Sequence, residues 1–208
     1  MRKIENWNNI EKDEVVEFVN LGAGPQICKI LKVVDVTDRE YLKIAFDVSS
    51  GEFENCFKAQ FDRDDRDEKK WPNSGIMYKS YKASASRFFA AFITAVEKSN
   101  SGFSWNFDET KLVGLTFVAN FREEEWLSDD HDDVGNQIAK MSLKCFEPRS
   151  TQALKNNKIK VLEPKLVDLK AGQTRTPVEH KEEKVIVTKQ SEELPKGNFN
   201  NVEDDLPF

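Results

Sequence analysis

Asp204-Asp205-Leu206-Pro207-Phe208 ends the chain on a combination that another protein could read chemically. Phe208 offers a large apolar ring, and its free α-carboxylate sits beside the backbone atom carrying that ring. An apolar pocket rimmed by Arg or Lys can capture both at once. Pro207 limits the backbone freedom lost on docking. Glu203, Asp204 and Asp205 would steer the tip toward basic patches, with an attraction that falls as salt rises. Acidity alone is ordinary in a charged tail. The acidic cluster joined to Leu-Pro-Phe is what points to a docking peptide.

A second set of residues pairs cations with aromatic rings. Tyr41 and Lys43 share one face of a strand-like segment, and Lys58 follows in the next. Lys69, Lys70 and Trp71 form a basic-aromatic cluster; Lys79, Tyr81 and Lys82 form another; Lys140 and Lys144 share an outward face near residue 142. Cations hold phosphates and exposed rings stack bases, at about 1–3 kcal/mol per base. Any one of these lysines reads equally well as a solvated charge. The repetition across several faces is what suits an unpaired nucleic-acid strand. Trp71, before Pro72, either stacks or pins a turn, and Tyr81 has the same two readings. Trp126 is left out, because Glu123, Glu124 and Glu125 beside it would repel phosphate.

Other chemistry is poorly represented. Asp129-Asp130-His131-Asp132-Asp133 clusters oxygens with an imidazole, as a divalent cation would need. It lacks the Gly and Glu spacing of an EF-hand loop and reads as a solvated hairpin loop. Cys28, Cys56 and Cys145 form no CxxC pair, so neither a disulfide framework nor a zinc site is expected. The only histidines are His131 and His180, and there is no phosphate loop, nucleophile elbow or HExxH. No catalytic residue, metal or cofactor is expected.

These residues need a scaffold. Gly22-Ala23-Gly24-Pro25 is a turn signal, and Gln26–Val36 reads as a first, central strand. Tyr41–Val48 alternates, with Leu42, Ile44, Phe46 and Val48 inward and Tyr41, Lys43, Ala45 and Asp47 outward. Phe53, Phe57 and Phe61 recur at spacing four, a period that fits helix or strand. Ser50-Gly51 reads as a hairpin link, which favours a strand carrying Lys58 on its far side. Asp62–Lys70 reads as a charged loop and Ile76–Tyr81 as a short strand. A helix follows, capped by Ser84 or Ser86, with Phe88, Phe89, Phe92, Ile93 and Val96 on one face. Strands are expected at Leu112–Glu123, with Val113, Leu115, Phe117, Ala119 and Phe121 on one face, and at Ile138–Phe146. An acidic loop, Ser128–Asn136, would join them. Phe53, Phe57, Phe61, Phe117 and Phe121 belong in a core.

The element order predicts a mainly β domain, a five-stranded OB-fold-like Greek-key barrel with one helix between strands 3 and 4. It would span 21–164, after an N-terminal arm at 1–20 in which Trp7 and Phe18 could pack on it. From Lys165 to Val202 aromatics are scarce and charge alternates, so a disordered, flexible tether of about forty residues is expected, ending in the tip at 203–208. The net charge of −6 argues mildly against a basic coat but allows charge to be segregated between a face and a tail. No N-terminal apolar run reads as a signal peptide, and no stretch of about 18 apolar residues reads as a membrane span. A reduced, cytoplasmic setting fits.

Asp204-Asp205-Leu206-Pro207-Phe208 resembles the acidic tip of bacterial single-stranded DNA-binding proteins, in which an OB-fold, a flexible linker and this tip follow in that order. Within the body, Tyr41-Leu42-Lys43-Ile44, Trp71-Pro72, Ser80-Tyr81-Lys82 and Phe92–Asn100 look more like phage-encoded members from Gram-positive hosts. The linker departs from the family in being rich in Lys and Glu in place of Gly and Gln. The resemblance implies a barrel that coats single-stranded DNA largely without sequence preference. It implies a tip that recruits replication, recombination and repair proteins. A homo-oligomer is compatible with it, and no membrane partner is expected. Two other readings are an adaptor built on a small β-barrel with a convergent acidic tail, and a metal-dependent nuclease using Asp129–Asp133.

Overall fold

The alternating segments at 24–48 form an antiparallel pair. In the computed structural model, which describes residues 21–170 and 172–176, β1 (Gly24–Val36) pairs with β2 (Tyr41–Val48) from Val36↔Tyr41 to Cys28↔Val48. The N-terminal arm, most of the expected tether and the acidic tip lie outside the described residues. β3 (Ile76–Ser80) joins β2, and β4 (Thr116–His131) with β5 (Gln137–Arg149) completes a five-stranded antiparallel open sheet in the order β3-β2-β1-β4-β5. β1 serves both halves: residues 24–29 pair with β4 and 28–36 with β2. A bulge at Leu31 interrupts the stretch paired with β2, and bulges bend and twist a strand. The two edge strands, β3 and β5, come into contact distance across a groove.

Three helices accompany the sheet: α1 (Cys56–Arg63), α2 (Ser86–Ser99) and α3 (Thr151–Lys155). The core gathers aromatics from every layer. Phe46 of β2 meets Phe117 of β4 and Phe57 of α1 edge-on, at 5.3 and 6.0 Å between ring centres. Phe92 of α2 also packs edge-on against Phe117, at 6.2 Å. Gly75 makes room for this packing: a Cβ there would stand 2.5 Å from the Trp71 indole nitrogen and 2.9 Å from the Phe57 ring. No helix among the described residues is long and apolar enough to cross a membrane.

The mainly β class and the helix between β3 and β4 agree with the sequence reading, and β2 has the expected bounds. Several expectations are corrected. The segment holding Phe57 and Phe61 is a helix, because spacing four puts both rings on one helical face toward the sheet. Phe57 is buried and Phe61 lies 5.7 Å from Trp71. Lys58 therefore sits on α1, paired with Asp62 at 2.8 Å one turn later. Ala45 and Asp47, expected to face outward, are buried, since the end of β2 is covered on both faces. Phe88 is 74% exposed and off the buried face of α2. No serine side chain caps that helix; Ser86 Oγ instead donates to Ala83 O at 2.9 Å.

β4 begins later than expected, because the buried Leu112 closes a 3-10 turn, and Val113 is exposed. Its inward face is Phe117, Ala119 and Phe121. Ser128–His131 belongs to β4, so the acidic loop shrinks to a turn at 132–136. The Asp132 carboxylate organises that turn by accepting the N–H groups of Val134 and Asn136 at 3.0 and 2.8 Å. Hydrogen bonds to the sheet continue past residue 164, the expected domain boundary. Lys165 and Thr174–Thr176 are bonded to the hairpin of β4 and β5 by main-chain hydrogen bonds. A test of side-chain hydrophobicity could not register that pairing, because backbone groups make it.

Candidate nucleic-acid interface

Alternation along three strands brings the site together. On β3, Met77 is buried and Tyr78 turns outward, 58% exposed. On β4, Glu125 is buried against the rear of the hairpin, so Trp126 faces the other way and is 44% exposed. Phe146 of β5 is 46% exposed. These rings border one groove of about 630 Å³ between β3 and the hairpin, whose lining includes Asn73, Lys79, Glu124, Ser142 and Lys144. Tyr41 supports Tyr78 edge-on at 5.5 Å, and Lys43 is the register partner of Tyr78.

Cations are held against the rings. The Arg122 guanidinium lies 3.5 Å from the centre of the Phe146 ring, and Lys140 Nζ lies 5.6 Å from that of Trp126. The ring quadrupole attracts a cation placed over its face. Each also has a carboxylate neighbour: Arg122 and Lys144 share Glu124, and Lys140 meets Asp130 at 3.3 Å. The Arg122 hydrogen bond, followed by that of Lys144, holds Glu124 below the ordinary carboxylate range. Exposed pairs such as Lys140–Asp130 contribute little, about 0–1 kcal/mol, so a phosphate can replace the carboxylate. Lys79 projects inward, 5.9 Å from the Phe92 ring, and burial lowers its pKa. Its charge is poorly solvated at the groove wall. Cys145, also in the wall, has its thiol pushed up to about 12 by burial.

The expected site residues separate into groups. Tyr41, Lys43, Lys79, Lys140 and Lys144 gather at or beside the groove. Lys58 and Lys69 gather about α1, where Lys69 Nζ donates to Asp62 O at 3.3 Å, and Lys70 is exposed in the loop that follows. Trp71 is 3% exposed, and its indole N–H donates to Phe46 O at 3.3 Å. Of its two readings the structure takes the pin, and neither ring face is available for stacking. Tyr81 turns toward α2, with its ring 6.1 Å from Phe89 and its hydroxyl donating to Asp35 at 2.7 Å. That bond, more than any other influence, pushes the Tyr81 phenol up to about 12. Lys82 is exposed just beyond it.

Tyr78, Trp126, Phe146 and Arg122 were not among the expected site residues. Tyr78 could have been found from strand period, two residues from Ser80 on the face opposite Met77. Trp126 was set aside for its acidic neighbours. Two of those, Glu123 and Glu125, lie on the other face of β4, and Glu124 is neutralised by Arg122 and Lys144. A separate string of rings runs Tyr81–Phe89–Trp105–Phe107 at 6.1, 6.0 and 6.0 Å, ending on Phe107, 87% exposed. Asp35, Glu40 and Glu109 crowd its Tyr81 end. Among the described residues, no three His, Cys, Asp or Glu side chains converge as a metal site. The chain matches none of the known protein-family models and none of the curated proteins with which it was compared.

Proposed function

We propose that this protein binds single-stranded DNA, largely without sequence preference, and recruits replication and recombination proteins through Asp204–Phe208. The observation that carries the first half is the groove. Tyr78, Trp126 and Phe146 offer ring surface around one channel, with Lys79 and Lys144 in its lining and Arg122 stacked on Phe146. Rings for bases and cations for phosphates are what a sequence-tolerant single-strand site needs. The scaffold proposed is an OB-type barrel. The order β3-β2-β1-β4-β5, with β3 and β5 in contact, is what a five-stranded Greek-key barrel becomes when opened at one seam. The docking half rests on the chemistry of the tip, and the cytoplasm of a bacterial host is the proposed setting.

Titration with dT oligonucleotides, followed by tryptophan fluorescence, tests the reading. Saturable quenching that weakens with salt is the expected result, with most of the signal lost in Trp126→Ala. Absence of binding at low salt would overturn it. A second reading, a protein-docking adaptor, is favoured by Phe88 and Phe107, which are exposed on the α2 side and away from the groove residues. Pull-down of protein partners that survives loss of Phe208 but not of these rings would support it.

A further inference from the structure

We propose that residues 165–170 and 172–176, at the root of the tail, form a strap that holds the β4–β5 hairpin in its strand-gripping position, with Arg175 and Glu125 as the latch. The proposal rests on the single-strand reading above and assigns Arg175 and Glu125 as positioning residues for it.

The sheet itself leaves the hairpin weakly supported. β1 parts from β4 at Gly24↔Phe121, yet β4 continues to His131 with β5 as its strand partner. A two-stranded ribbon is marginally stable on its own. The stretch that carries Trp126 is this unsupported part.

The strap supplies the missing partner on both edges. On the β4 edge, Lys165 N–H donates to Glu123 O at 2.9 Å, and Glu125 N–H donates to Lys165 O at 2.8 Å. On the β5 edge, Gln137 N–H donates to Thr174 O and Thr176 N–H to Gln137 O, both at 3.1 Å. The chain therefore starts on one edge of the ribbon and finishes on the other.

Glu125 joins the two ends. Its side chain is fully buried; Oε2 accepts the Val167 N–H at 2.9 Å, and Oε1 pairs with the Arg175 guanidinium. A buried carboxylate without its cation is strongly destabilising, so the pair forms together or not at all. Glu125 stands between Glu124 and Trp126, both of which line the groove. Fixing Glu125 from behind fixes the backbone that aims Trp126 from the front.

The test compares full-length chain, Glu125→Gln, Arg175→Ala, and chains ending at Thr176 or at Pro164, by dT-oligonucleotide affinity and by amide hydrogen exchange of the hairpin. The chain ending at Thr176 should bind like full length. The other three should weaken by about tenfold, the scale expected when one coupled contact is lost, with faster exchange across 123–139. Glu125→Gln separates the strap from simple electrostatics: removing a negative charge should tighten a phosphate site, whereas unlatching weakens it. Tighter or unchanged binding by Glu125→Gln, or unchanged hairpin exchange in Arg175→Ala, would overturn the strap. If full-length chain fails to bind the oligonucleotide while Arg175→Ala still loosens the hairpin, the strap stands and the single-strand reading falls.

Discussion

The Asp47 carboxylate, buried at the end of β2, accepts the backbone N–H of Lys58 at 2.8 Å through Oδ2, at the start of α1. Oδ1 accepts the N–H groups of Phe57 and Val48 at 3.0 and 2.8 Å. One side chain thus ties a strand end to a helix start and satisfies donors that the first helical turn cannot satisfy internally. It decides that 56–63 is helical.

Replacing Asp47 by Ala leaves those donors buried and unpaired, and should cost about 2 kcal/mol in denaturant unfolding. Asp47→Asn should be milder. Burial raises the Asp47 pKa, and the N–H bonds offset that only in part. For a raised carboxylate, the contribution to stability is complete below the ordinary value, about 3.9, and is lost as pH rises through the higher folded value. The stability advantage of native chain over Asp47→Asn should accordingly shrink as pH climbs through that window. A constant difference would count against the assignment.

Gly75→Ala forces a methyl group toward Trp71 and Phe57, both held in the core. Overpacking of this kind costs about 1–3 kcal/mol. Thermal unfolding should show the loss, and an unchanged Tm would mean that the Trp71 pin is looser than its bond to Phe46 implies.

Tyr81 should titrate at about 12, because Asp35 accepts its hydroxyl proton and favours the neutral phenol. A phenol raised in the folded state contributes fully below its ordinary value, about 10, and that contribution is lost as pH rises through the folded value. Ultraviolet titration of phenolate absorbance should therefore show Tyr81 titrating late, and earlier in Asp35→Asn. DNA affinity should be nearly unaffected in that variant.

Single substitutions can rank the groove residues. Trp126→Ala and Tyr78→Ala should each lose about 1–3 kcal/mol of dT affinity, the usual worth of a stacked base. Lys58→Ala, on α1 and paired with Asp62, should lose little. Trp71→Phe should lower stability through the lost bond to Phe46 O while leaving affinity nearly intact. Equal losses for Trp71 and Trp126 would mean that the strand runs elsewhere.

Removing Phe208 should abolish partner capture and leave oligonucleotide binding intact, measured by pull-down and anisotropy on the same samples. Loss of oligonucleotide affinity on that deletion would count against separate roles for the groove and the tip.

Much of this protein is set by local pattern. Alternation in 41–48 determines β2 and puts Tyr41 and Lys43 on one face, because strand side chains alternate regardless of their surroundings. Helical spacing in 86–99 determines α2, and the proposed docking through Asp204–Phe208 rests on residue types alone. What tertiary structure alone decided are the pairings between distant residues. Spacing four at Phe57 and Phe61 fits either period until Asp47 caps the helix. Trp71 beside two lysines could face water until Phe46 O takes its N–H. Trp126 looks repelled by its glutamates until Arg122 and Lys144 neutralise one and the strap buries another. In each case the deciding partner is remote in sequence, and burial makes an unpaired polar group too costly to leave, so the fold and not the local pattern selects the outcome.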